Sequence, residues 1–193
     1  MYIFKDVYST ESGMSVLVIT GPMFSGKTTE LIHRVRVHKE RHGLRVLVIN
    51  HAKDVRTSEN TVCTHDGVTY PAVHAHDLML VNTRQYDVIA IDEAQFFSNL
   101  GAFVDLETRR WNRRVILAGL SGDYLRRPFG EMPRVLSLAD HILIKHATCA
   151  TCSNPAIFTQ RLTRGKDTVG NDTVDVGGAE KYAPACRKCW HAP

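Results

Sequence analysis

Five short apolar runs, rich in β-branched residues, recur through the first three quarters of the chain: MSVLVIT (14–20), RVLVIN (45–50), DVIAID (87–92), RVILAGL (114–120) and DHILIKH (140–146). The first, bounded by glycines, reads as a strand buried on both faces, and the other four read as further strands. Between the first two, TTELIHRVRVHKERHG brings Leu31, Val35 and His38 round at helical spacing, with Gly43 where a helix end favours a left-handed residue. Between the third and fourth, SNLGAFVDLETRRWN reads as a helix starting at Ser98. Alternating strands and helices predict a parallel sheet of five or six strands with helices on its faces.

From about Ala147 the pattern changes. Two CxxC pairs flank two polar, strand-like runs, AIFTQRLT and TVDVGG, joined by the charged RGKDTVGND. This reads as a small separate lobe, dividing the chain into residues 1–146 and 147–193. No internal repeat or low-complexity tract is present.

Composition adds limits. With 193 residues, 44% hydrophobic and 23% charged, the chain suits one ordinary globular core with an appendage. A net charge of +4 fits an anionic small molecule and is too mild to require a nucleic-acid polymer. No run of about 18 apolar residues and no secretory pattern points to a membrane, so a cytoplasmic setting is expected. There the five cysteines are read as free thiols or metal ligands.

The first strand runs into GPMFSGKT, Gly21–Thr28, which fits G-x-x-x-x-G-K-[ST]. In this pattern backbone N–H groups cradle phosphates, the lysine reaches the outer ones, and the hydroxyl ligates Mg²⁺. A strand before and a helix after it supply the context, since a helix N-terminus favours an anion. Asp92 and Glu93 close the third strand, where one carboxylate can serve Mg²⁺ and its neighbour, facing the other way, can do acid/base work. Arg56, Arg126 and Arg127 are candidates to balance charge on a transferring phosphoryl group, or else surface arginines. TRRWNRR, 108–114, is read as a solvated helix end. Cys149, Cys152, Cys186 and Cys189 form two tight pairs suited to tetrahedral Zn²⁺, and four thiolates make the site closed and structural. The 33 residues between the pairs suggest a long looped hairpin stapled at its base. Cys63 stands alone, and the ten histidines show no ligand spacing.

These parts alone suit a nucleotide hydrolase, a nucleic-acid motor or a small-molecule kinase. However, GPMFSGKTTELIHRVR, AKDVR, THDG, DEAQFF, RRPFG and GGAEKYAPACRKC, in this order and at these spacings, closely resemble the type II, cytosolic-type thymidine kinases over roughly residues 15–190. The resemblance implies a P-loop NTPase-like α/β fold with a zinc-stapled lasso lobe. It implies that Gly21, Pro22, Met23, Phe24, Ser25, Gly26, Lys27 and Thr28 hold ATP, together with Asp54, Val55, Arg56, Asp92 and Gln95. It makes Thr28 and Asp92 the Mg²⁺ ligands and Glu93 the base for the nucleoside 5′-hydroxyl. For thymidine it implies Met23 and Leu120 at the 5-methyl group and Phe96, Tyr124 and Phe129 around sugar and base. Thr173, Val174, Asp175, Val176, Gly177 and Tyr182 belong to the lasso side. It further implies a homotetramer and feedback inhibition by dTTP. Ser121, Asp123 and Ala94 depart from residues common in the family, which leaves no acid at 121 to carry a role.

Overall fold

In the computed structural model, which describes residues 15–54, 60–64, 66–162 and 177–191, the five apolar runs become strands of one sheet. Along the chain come β1 (Ser15–Thr20), α1 (Lys27–Arg36), β2 (Val46–His51), an antiparallel pair β3 (Thr61–Cys63) and β4 (Thr69–Pro71), and β5 (Val73–Ala75). Then follow β6 (Val88–Ile91), α2 (Leu100–Asp105), β7 (Arg114–Gly119), α3 (Met132–Leu136) and β8 (His141–Ile144). The sheet order is β5-β2-β6-β7-β1-β8, and every neighbouring pair is parallel. The sixth strand is β5, whose three residues carry no apolar run to announce them; Val73 is 44% exposed at the sheet edge.

Strand alternation divides the apolar residues between two cores. Val16 and Val18 of β1, Leu47 and Ile49 of β2, Ile89 and Ile91 of β6, and Val115 and Leu117 of β7 meet α2 and α3 through Leu100, Phe103, Met132 and Val135. Their neighbours Leu17, Ile19, Val48, Ala90 and Ile116 face the other way, onto Leu31, Ile32 and Val35 of α1. Each large aliphatic side chain removed from water in this way contributes about 1.5–3 kcal/mol. Covering both faces is what a parallel sheet requires.

The first helix behaves as its spacing predicts. It widens into a π-helical stretch at Val37–Arg41 and closes with Gly43 at φ 64°, where Leu44 N–H donates to His38 O at 3.1 Å. The second helix starts two residues later than expected, after Asn99 rather than at Ser98. No side chain at its start caps it; Glu131, from the segment leading into α3, accepts from Gly101 N–H at 2.7 Å instead. The run 108–114 is also not wholly a solvated helix end. Trp111 is 46% exposed, but Arg113 is only 8% exposed and pairs with buried Glu107, with Thr83 bonded to both.

After β8, two small antiparallel pairs form the lobe: β9 (Ala147–Thr148) with β10 (Pro155–Ala156), and β11 (Phe158–Arg161) with β12 (Tyr182–Ala185). The run AIFTQRLT therefore splits at Ile157. Its partner is Tyr182–Ala185, while 173–176 of the expected strand TVDVGG lie outside the described residues.

Glu107→Leu strands a buried guanidinium and is expected to cost about 3–5 kcal/mol in urea unfolding, whereas Glu107→Leu combined with Arg113→Leu recovers most of that loss. Burial first, then the charges of Arg114, His42 and Arg34, lowers His38 to about 4; burial, then Lys53 and His76, against the opposing pull of Glu93, lowers His51 to about 4. Both folded values lie below the ordinary 6.5, so the unfolded chain takes up protons first. Stability from these two groups is complete above pH 6.5 and falls as pH drops towards 4, and a His38→Leu variant should show a shallower decline in melting temperature over that window.

Candidate active site

Register sets the site. Thr20 lies beside Gly119 and Ile91 beside Leu117, so the residues that follow these parallel strands leave the sheet at one edge. There Gly21–Thr28 turns from β1 into α1. A Cβ on Gly21 would collide with the Lys145 carbonyl, so only glycine lets the loop pass this close to the end of β8. Lys27 Nζ donates to Pro22 O at 2.7 Å across the loop. Ser25 Oγ is buried with no hydrogen-bond partner among the described residues. A phosphate oxygen supplies the acceptor such a hydroxyl wants, and the α1 N-terminus adds favourable dipole.

The strand-end acids meet this loop. Thr28 Oγ1 donates to Asp92 Oδ2 at 2.9 Å, joining the first turn of α1 to the end of β6. Asp92 is buried, and its N–H donates to Ile49 O at 2.8 Å. A hydroxyl beside a buried carboxylate, next to a phosphate loop, is a donor set that fits Mg²⁺. Glu93 takes the left-handed conformation, φ 50° and ψ 38°, which turns its side chain out of the strand into the cleft. Gln95 Nε2 donates to Glu93 Oε2 at 2.6 Å, while Leu120 N–H donates to Gln95 Oε1 at 3.0 Å.

A cleft opens over these groups. Ser25, Gly26, Lys27, Thr28, Asp54, Glu93 and Gln95 are among its lining residues, together with Met23, Phe24, Phe96, Leu120, Tyr124, Phe129, Gly177 and Tyr182. Gly21 and Pro22 instead line an adjoining cavity, together with Arg126 and Arg127. Phe96 meets Phe129 edge-on at 5.6 Å and leans on His51 at 5.5 Å, and Tyr124 lies 6.2 Å from Tyr182. Val55, Arg56, Thr173, Val174, Asp175 and Val176, as well as His65, lie outside the described residues.

Some lining residues were missed by sequence reasoning. Thr159 of the lobe lines the cleft and accepts from Met23 N–H at 3.0 Å, and nothing in the sequence signals that contact. Asp123, noted only as a departure, also lines it and accepts from the backbone of Leu125 and Arg127 and from Arg127 Nε at 2.9 Å. Arg127 is thereby tied down, and Arg126 lies over Trp190 at 3.7 Å.

In the lobe the sulfurs of Cys149, Cys152, Cys186 and Cys189 all lie within 4.8 Å of one another. Backbone N–H groups of Cys186, Thr151 and Cys152 pull the Cys149 thiol down to about 6; hydrogen bonding to Cys152, then burial, pushes Cys189 up to about 12. Sulfurs this close cannot all ionise together unless a cation lies among them, so the set can hold a structural zinc ion. Cys63, by contrast, is a free thiol that donates to Thr64 O at 3.2 Å.

A family model described as thymidine kinase matches residues 14–190. Thymidine kinase a of Arabidopsis thaliana is 40% identical over 191 residues, covering 95% of this chain and 77% of that protein. The matched span contains the loop, the strand-end acids and all four cysteines. The sulfur cluster predicts about one zinc ion per chain by elemental analysis. Cys186→Ser is expected to lose that metal and to expose the lobe to proteolysis, while a variant that keeps full metal content would contradict the assignment.

Proposed function

The chain belongs to the type II thymidine kinase family, and on that premise we propose that it transfers the γ-phosphoryl group of ATP to the 5′-hydroxyl of thymidine, giving dTMP and ADP. The observation that carries this reading is the Thr28–Asp92 hydrogen bond, which brings the phosphate loop, the strand-end acids and an aromatic-walled cleft to one place.

The loop N–H groups of Gly21–Thr28 and the Lys27 ammonium hold the donor phosphates, with Asp54 and Val55 around them and Arg56 balancing charge. Thr28 and Asp92 hold Mg²⁺, which when bound supplies neutralisation of the phosphate oxygens. Glu93 accepts the 5′-hydroxyl proton as that oxygen bonds to the γ-phosphorus and the bridging bond to ADP breaks. Phe96, Tyr124 and Phe129 wall in the sugar and base. Met23 and Leu120 bound the 5-methyl group, whose burial discriminates by only about 1–3 kcal/mol, so deoxyuridine should be a weaker substrate rather than an excluded one. The segment Thr173–Gly177 and Tyr182 close over the nucleoside as a lasso whose base the zinc of the four cysteines staples.

The same reading divides the chain at 146/147, places it in the cytoplasm as a homotetramer, and makes dTTP an inhibitor whose phosphates occupy the donor site. It needs neither a nucleic-acid polymer nor a membrane; no helix among the described residues is long and apolar enough to span one.

Glu93→Gln keeps the shape of the base and removes its proton acceptor. Thymidine-dependent ADP release is expected to fall by about 10²-fold or more while MgATP binding, followed by calorimetry, persists. Full turnover in this variant would remove Glu93 from the mechanism.

A further inference from the structure

We propose that Gln95 is a positioning residue for the transfer: its side-chain amide holds the Glu93 carboxylate in place and ties it to the wall of the nucleoside pocket at Leu120. This rests on the kinase reading with Glu93 as base and assigns Gln95 a task distinct from holding the donor.

The orientation of the amide is fixed by chemistry. Leu120 N–H can only donate, so the oxygen of Gln95 must face it, at 3.0 Å, and the NH₂ must face Glu93 Oε2, at 2.6 Å. Hydrogen bonds to an ionised acceptor are the short and strong kind. One carboxylate oxygen is thereby turned to the amide, which sets the direction of the other. Glu93 projects from a left-handed residue at a strand end, and its side chain has several rotatable bonds, so a hydrogen bond to one carboxylate oxygen narrows the directions the other can take.

The surroundings keep the amide where it is. Gln95 is 2% exposed in the short 3₁₀ turn Ala94–Phe96, whose Phe96 N–H closes back on Glu93 O at 3.1 Å. Two glycines leave it room: a Cβ on Gly119 would stand 2.8 Å from Gln95 Oε1, and one on Gly130 would collide with the Gln95 carbonyl. Because Leu120 follows Gly119 at the end of β7 and lines the pocket, a shift of that wall moves the amide and, through it, the carboxylate. The position of the bound nucleoside and the aim of the base are thus coupled through one side chain.

The test is a double-mutant cycle on the full-length, zinc-loaded protein with MgATP and thymidine. Gln95→Met keeps length and burial but removes both hydrogen bonds. Its kcat is expected to fall about tenfold or more, with KM for MgATP within about twofold of wild type, since misplacing a reacting group by about 1 Å has effects of this size. On the Glu93→Gln background the same substitution should change kcat by less than about twofold, because residues acting through one group are not additive. Equal losses on both backgrounds, or a raised KM for MgATP with kcat preserved, overturns the proposal. If Gln95→Met melts at assay temperature, Gly119→Ala combined with Met132→Leu crowds the amide oxygen while giving the new methyl a shorter neighbour in place of the Met132 thioether, and the same pattern of loss, absent from Met132→Leu alone, is required of it. A wild-type protein with no thymidine-dependent ADP release overturns the kinase reading and this proposal together, whereas an active wild type with a multiplicative cycle removes only the role of Gln95.

Discussion

A phosphate loop is useful only if something on the neighbouring strands meets what it holds, and here that meeting is the hydrogen bond from Thr28 to Asp92. It spans two elements far apart in sequence, and it forms because all six strands of the sheet run parallel and so deliver their carboxyl ends to one edge. The register of β1 against β7 and of β7 against β6 sets how far each end reaches. The two cores then hold that register, because a slip by one residue would exchange the residues facing α1 for those facing α2 and α3.

Around that bond the site separates opposite electrostatic tasks. Loop N–H groups, the α1 N-terminus and Lys27 favour negative charge, while Asp92 and Glu93 stand on the strand side. The acids are kept apart by backbone geometry: Asp92 continues β6 and points to Thr28, whereas the left-handed turn at Glu93 redirects the next carboxylate into the cleft. A non-glycine residue held this way costs about 1–3 kcal/mol, and the Gln95 and Phe96 contacts are local interactions that offset it.

Much of this was legible in the chain. The apolar runs announced five of the six sheet strands, although Ile142 and Ile144 leave one side of β8 exposed, and GPMFSGKT, the paired acids and the two CxxC pairs named groups that the fold does bring together. Features fixed by distant partners were not legible. The edge strand β5 is too short to show a period, α2 takes its cap from Glu131, and Arg113 reads as one more surface arginine until Glu107 and Thr83 close on it. Likewise Gln95 sits in a recognisable motif, but its link to Leu120 exists only because β7 ends beside the turn after β6. Motifs disclose which groups are present, and tertiary contacts decide how each is aimed.

The acceptor of the phosphoryl group distinguishes a nucleoside kinase from a hydrolase. The decisive measurement is ADP release from MgATP by the zinc-loaded protein on separate addition of thymidine, deoxycytidine, deoxyadenosine and deoxyguanosine, with the nucleoside monophosphate quantified alongside. Thymidine alone among the four is expected to elicit ADP, with an equal amount of dTMP. ADP released at the same rate with no nucleoside present would make water the acceptor and contradict the assignment of the aromatic cleft to thymidine.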